Sequence, residues 1–174
     1  MKEPIPEFSY IVDVNRIPVS GLILDLSADP EQCGALAARF KIPSLRHLSA
    51  HLVFKRINSS RVRVDGALNA EVEQICVVSL KPFVQRVEDT FSVVFSEGND
   101  DTLRLNEIDL DMGEDDEIEY LPEGKADVGE LVAQSLSLAL DPFPRAPDAV
   151  FHQEDPDDSG TENPFSILEK LKFK

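Results

Sequence analysis

The chain has no tryptophan, only two cysteines and only eight glycines in 174 residues, and each scarcity excludes something. Eight scattered glycines supply no glycine-rich phosphate loop, and no serine stands in a G-x-S-x-G nucleophile elbow. Cys33 and Cys76 lie too far apart in sequence for a metal-ligand pair. Both read as small buried thiols of a reducing compartment, and burial among apolar neighbours is expected to raise the Cys76 thiol pKa and blunt its nucleophilicity. No apolar run approaches the ~20 residues of a membrane helix, so no membrane partner is expected. The N-terminus, "MKEPIPEFSY", has neither an apolar signal core nor an Arg-rich amphipathic pattern. A cytoplasmic location is the expectation.

Basic residues are also scarce. Lys and Arg total 17 against 33 Asp and Glu, a net charge of -16. The excess sits in two places. Residues 97–123 hold twelve acids and one base, Arg104, and residues 148–162 hold six acids and none. The remainder holds fifteen acids and sixteen bases, close to neutral. Conversely, no Asp or Glu occurs from Gln32 to Val64, where Arg39, Lys41, Arg46, Lys55, Arg56, Arg61 and Arg63 stand with His47 and His51. Salt screens the long-range repulsion of a polyanion beyond about 8–10 Å, so a local basic face remains workable.

With 42% hydrophobic residues the chain suits one core. "FSYIVDV" and "GLILDL" alternate as strands, with Phe8, Tyr10, Val12 and Val14 on one side of the first and Leu22, Leu24 and Leu26 on one side of the second. "SADPEQCGALAARFKIP" predicts a helix of about three turns, capped by Asp29, with Pro30 at its first position, Gln32 closing a capping box and Pro43 stopping it. Residues 48–57 and 61–80 read as strands joined at "NSS". In the second, Val62, Val64, Leu68, Ala70 and Val72 share one parity; Arg61, Arg63, Asp65, Asn69, Glu71 and Glu73 share the other, a wet face. The alternation dissolves at "ICVV", which predicts burial on both sides there. "DTFSVVFSE" supplies another strand. A second helix follows Asp127, with Glu130 completing a D-x-x-E box, Val128, Leu131, Val132 and Ser135 on one face, Leu136, Leu138, Ala139 and Leu140 widening it, and Pro142 ending it.

The expected fold class is α+β: an antiparallel meander, open or barrel-like, packed with two main helices. Residues 1–147 form the domain, with 97–123 as an acidic loop region inside it. Residues 148–163 are an acidic linker, and 164–174 a short helix capped by Asn163 and Pro164, whose Phe165, Leu168 and Leu171 are apolar.

"DLDMGEDDEIE" faintly resembles a calcium loop, but Gly113 stands where a third ligand belongs and Tyr120 where the bidentate Glu should be. His47 and His51 share a face but lack a third zinc ligand. No metal, cofactor or catalytic residue is assigned. Two interaction surfaces remain. Lys55, Arg56, Arg61 and Arg63 bracket a turn of Asn58, Ser59 and Ser60, and with Arg39, Lys41 and Arg46 they form a candidate RNA-binding set suited to phosphate contacts. With Phe54 the sole aromatic nearby, such binding would rest on backbone and shape rather than base reading. The second candidate is a protein-docking set: Asp115, Asp116, Glu117 and Glu119 of the acidic stretch, and Phe165, Leu168 and Leu171 of the last helix. For the carboxylates the first reading is a plain solvated loop that deters wrong contacts, with docking as the alternative.

Three stretches in order, "VRVDGALNAEVEQICVVSLKPFVQRVEDTFSVVF", "DEIEYLPEGKADVGELVAQSLSLALDPFPRAP" and "NPFSILEKLK", resemble the YceD family of large ribosomal RNA subunit accumulation proteins, over residues 10–174. A lone Cys76 in Q-x-C-V-V-x-L-x-P resembles the alphaproteobacterial branch. Other members carry a C-x-R-C-like stretch there, so a paired-cysteine metal role has no support in this chain. The resemblance implies a bacterial, cytoplasmic, non-enzymatic protein with a part in synthesis, processing or stability of large-subunit rRNA, and brings no catalytic residues with it. The first expectation is direct holding of the large-subunit rRNA precursor through residues 39–63; the alternative is an acidic adaptor that binds a basic ribosomal protein. DNA is not expected, and the oligomeric state is not indicated.

Overall fold

The computed structural model describes residues 6–97, 117–121 and 123–151. Its elements in chain order are β1 (Ile11–Asp13), a single 3-10 turn (Val14–Arg16), β2 (Leu22–Ser27), α1 (Pro30–Phe40), β3 (Ser44–Arg56), β4 (Arg61–Ile75), β5 (Pro82–Glu97), β6 (Glu117–Leu121), β7 (Lys125–Asp127) and α2 (Val128–Ala139). Five strands form one sheet in the order β2-β3-β4-β5-β6, and β1 pairs with β7 in a separate two-stranded ribbon. The α+β class holds. From β2 to β5 the sheet is an antiparallel meander, but β6 lies parallel to β5, Val93 opposite Glu117 and Glu97 opposite Leu121. A parallel neighbour cannot be joined by a hairpin, and residues 98–116 lie between the two strands. β2 and β6 are the outer strands, so the sheet is open and the barrel-like variant is not formed.

Alternation decides which face is buried. Leu48, Leu52 and Phe54 of β3 and Val62, Val64, Ala70 and Val72 of β4 have no exposed surface, and their fellows across the ladder continue the same side. Both helices cover this inner face, contributing Leu36 from α1 and Val128, Val132 and Leu136 from α2, all fully buried. Each such aliphatic side chain contributes about 1.5–3 kcal/mol, so this face supplies the main stabilisation.

The α1 capping box forms as its sequence dictates, and the α2 cap forms in part. The Asp29 carboxylate accepts from Gln32 N at 2.8 Å, and the Gln32 side chain accepts from Asp29 N at 2.9 Å. α1 stops at Lys41, whose backbone is left-handed (φ 57°) and donates to Ala37 and Ala38, two residues before Pro43. At α2, Asp127 accepts from Glu130 N at 3.1 Å and also holds Tyr10 N and Ser9 Oγ. Glu130 does not complete the box, because its carboxylate is held by Arg39.

Three expectations need correction. The first strand is only Ile11–Asp13, with Val14 turning into the 3-10 turn and Tyr10 exposed. β4 ends at Ile75 rather than residue 80. Cys76 N donates to Lys81 O and Leu80 N to Cys76 O, closing a turn that leaves Ile75 and Val77 exposed around a buried Cys76, so "ICVV" is not buried on both sides. In α2, Leu138 is 87% exposed, because it projects on the side away from the sheet. The acidic loop of 98–116, the linker beyond Phe151 and the C-terminal helix of 164–174 lie outside the described residues.

Two glycines make opposite predictions. A Cβ on Gly34 would meet nothing within 4 Å, whereas one on Gly129 would press on Phe8 O and Tyr10 N at 2.8 and 2.7 Å, both backbone atoms. Ala in place of a helical Gly ordinarily stabilises by about 0.5–1 kcal/mol. Urea denaturation should therefore show Gly34→Ala gaining about that much, and Gly129→Ala losing about 1–3 kcal/mol through overpacking against the N-terminal segment.

Candidate functional site

The seven cationic residues at 39–63 do not form one stripe. Arg39 lies on α1 and makes a two-pronged contact to Glu130 at 2.6 and 2.8 Å, with Glu7 at 3.0 Å. The Glu130 hydrogen bond raises the Arg39 pKa further, and Arg39 in turn lowers that of Glu130. This pair ties α1 to α2 and to the N-terminal segment. Lys41 is exposed at the α1 C-cap. Arg46, at a register shift in β3, lies 3.7 Å from Glu71 and 3.4 Å from Glu73. Arg56 is a clamp: its guanidinium donates to the carbonyls of Val14, Asn15, Ile17 and Ser59 at 2.7–3.3 Å, fixing the 3-10 turn to the end of β3.

Lys55 and Arg63 are the one adjacent pair, opposite each other in register. Lys55 Nζ sits 2.8 Å from Asp65. Burial alone would raise the Asp65 pKa, but Lys55, Ser92 and Arg63 outweigh it and hold the carboxyl below its usual range. Arg61 is only 7% exposed, and its register partner Ser96 and nearby Val94 are fully buried, so the face expected to be wet is covered at this end. The hairpin turn engages its own polar groups. Asn58 Oδ1 accepts from Ser60 N, Ser60 Oγ and Arg61 N at 2.9–3.2 Å, a side-chain-closed turn.

The outer face, opposite the helices, carries a concavity. It is a shallow trough of about 580 Å³ crossing four strands, lined by Asp25, Ser49, His51, Ala67, Asn69, Glu88 and Thr90. The cross-strand register assembles it: Asp25, His51, Ala67 and Thr90 make one row, and Ser27, Ser49, Asn69 and Glu88 the next. A short side chain at Ala67 leaves its floor low. His51 Nδ1 lies 2.6 Å from Asp25 Oδ1, so Nδ1 donates and Nε2 is left to accept in the neutral ring. Asn69 donates to Glu88 at 3.0 Å. A second hollow shares His51, Ala67 and Thr90 and runs on to Val53, Asp65 and Ser92. Carboxylates therefore stand at both sides of the trough, and the one Lys near it is already paired with Asp65. His47, which reads with His51 as a possible metal pair, contacts Ser49 Oγ at 3.1 Å instead. No group of three or more potential metal ligands is assembled among the described residues.

Sequence reading found Asp65 and Asn69 through the parity of β4. It missed Asp25, Ser49, Glu88 and Thr90 as parts of one surface, because only the register of β2 and β5 brings them in. Of the protein-docking set, Glu119 is exposed in β6 and Glu117 opens that strand. Asp115, Asp116, Phe165, Leu168 and Leu171 lie outside the described residues. Cys76 also differs from expectation. It is buried, but Ser79, through its side chain and backbone N–H, and then the Ala146 backbone N–H, lower its pKa to about 7. Hydrogen bonding to sulfur overrides desolvation there.

A family model described as "Large ribosomal RNA subunit accumulation protein YceD" matches residues 64–172, well over half of the chain. The chain belongs to the YceD family. No curated protein and no solved structure matches it. The YceD match begins within β4, so all seven cationic candidates, Arg39 to Arg63, precede it. Asp65, Asn69, Glu88, Thr90 and the carboxylates of 107–119 fall inside it. No helix among the described residues is long and apolar enough to cross a membrane.

The lowered carboxyls give a pH prediction. A carboxyl with a lowered folded pKa stabilises the fold fully above its unfolded value, near ~4, and loses that contribution as pH falls through the folded value. Stability should fall below about pH 4, and Glu130→Gln should flatten that fall in pH-dependent denaturation. At pH 7 the same substitution should cost about 1 kcal/mol, discounted for partial exposure of the pair.

Proposed function

We propose that this YceD-family protein supports accumulation of large-subunit rRNA in the cytoplasm as a non-catalytic factor, and that it does so by holding a basic ribosomal protein. The docking surface is the outer-face trough at Asp25 and Glu88 together with the carboxylates of 107–119, including Asp115, Asp116, Glu117 and Glu119. The observation that carries this reading is the state of the cations. Arg39, Arg46 and Lys55 are each engaged by a carboxylate and Arg56 by four backbone carbonyls, while the net charge of -16 opposes approach of a polyanion. An acidic surface with a polar trough attracts a cationic segment and shields it from nonspecific RNA until assembly.

A second reading, direct contact with the rRNA precursor, is favoured by one feature. Lys55 and Arg63 stand side by side at the hairpin end, where phosphates could be met without displacing Arg39 or Arg56 from their structural partners. Exposed ion pairs such as Lys55–Asp65 are worth about 0.2–1 kcal/mol, so a phosphate could compete for Lys55.

Complementation separates the two. In cells deprived of the native protein, the ratio of large- to small-subunit rRNA is measured after supplying wild type, Asp25→Lys/Glu88→Lys, or Lys55→Glu/Arg63→Glu, each first shown by thermal melting to fold. The trough variant is expected to leave the shortfall uncorrected and the cation variant to correct it. The reverse pattern would establish the RNA reading. A ratio unchanged by loss of the protein would remove the role itself.

A further inference from the structure

One end of the molecule is apolar and open, and it is not the face used above. The chain leaves α2 through Leu140 and Pro142 and crosses the β4–β5 turn. Val77 N donates to Pro144 O at 2.9 Å, and Gln74 Nε2 donates to Asp141 O at 3.1 Å. Beside this crossing lies a groove of about 430 Å³, walled by Phe40 at the end of α1, Lys41 and Ile42 after it, Ile75 and Val77 around the end of β4, and Leu140 after α2. Around the same end Ile75, Val77, Leu80, Phe143, Val150 and Phe151 are 43–76% exposed. An exposed apolar surface of this kind, clustered rather than scattered, marks a docking site.

Charge divides its rim. The C-terminus of α2 presents the negative end of its dipole there, with no basic residue in its last turn and Asp141 beside it. Lys41 stands at the α1 end. The α2 side of the groove therefore suits an apolar segment that also carries positive charge.

We infer that the occupant is the C-terminal segment of this same chain, residues 164–174, docked through Phe165, Leu168 and Leu171. That segment has three lysines, Lys170, Lys172 and Lys174, against one acid, Glu169, the reverse of the acidic linker before it. Phe151 is 74% exposed, and fourteen residue steps separate it from Phe165, a reach of at most roughly 46–50 Å. A tether of that length gives an effective concentration in the millimolar range, which an untethered partner would have to exceed. The family match runs through residue 172, so it takes in both the groove strand and the segment. Docking in cis closes the apolar end, and it leaves the outer trough on the opposite side of the sheet accessible.

The test uses the full chain with a photoreactive benzoyl-phenylalanine at Val77, in the groove, and in a separate sample at Ile23, exposed on β2 and far from it. After irradiation at low micromolar concentration, mass spectrometry of the digest identifies the joined peptides. The expected result is an intramolecular link from position 77 to the peptide holding Phe165–Lys172, absent from position 23 and lost in a Phe165→Glu/Leu168→Glu variant. A link between two chains would assign the groove to a second copy and overturn the inference. A link to any other part of the domain, or none to the segment, would overturn it as well. The readout does not depend on any ribosomal partner, so its failure would leave the proposed function standing.

Discussion

The structure depends on β4, fifteen residues paired along their whole length with β5 on one side and, from Val62 to Glu73, with β3 on the other. A central strand this long must be consistent on both faces, because one slip in register would carry every valine from core to solvent. Its inward row of Val62, Val64, Leu68, Ala70 and Val72 binds the helices to the sheet, and the outward row is left to polar and small side chains. Everything functional follows from that division. The helices cover one face, and the other presents a trough whose floor is low because Ala67 and Ser49 are small.

Much of this is legible in the residues. The parity of β4, the α1 capping box and the stop before Pro43 follow from local chemistry that acts within a few residues, so tertiary packing has little chance to override it. The parallel placement of β6 is not legible, since nothing within "EIEYL" states which neighbour it will take. Nor is the trough, because Asp25, His51, Asn69 and Glu88 come from four strands and meet only through register. Arg56 illustrates the limit most clearly. In the sequence it is one more cation beside a turn, but in the fold it binds the carbonyls of Val14, Asn15 and Ile17, and no periodicity announces that.

Charge follows the same logic of local settlement. The basic stretch from residue 32 to 64 does not become a basic surface, because β4 and α2 bring carboxylates to meet it. Glu71 and Glu73 meet Arg46, Asp65 meets Lys55, and Glu130 meets Arg39. A protein arranged in this way suits the proposed cation-rich partner, and its membership of the YceD family implies a role in large-subunit rRNA accumulation. Cys76 adds a caution about reading chemistry from hydrophobic runs. Its neighbours are apolar, but hydrogen bonds from Ser79, side chain first, and from the Ala146 backbone lower its pKa.

The central claim is that the partner is a protein and not RNA, and ultraviolet crosslinking in living cells tests it most directly. Irradiation joins RNA to whatever amino acids touch it, and sequencing identifies what is recovered with the purified chain. The account predicts RNA no more abundant than with a non-binding control. Reads concentrated in the large-subunit precursor would contradict it and move the site to Lys55 and Arg63.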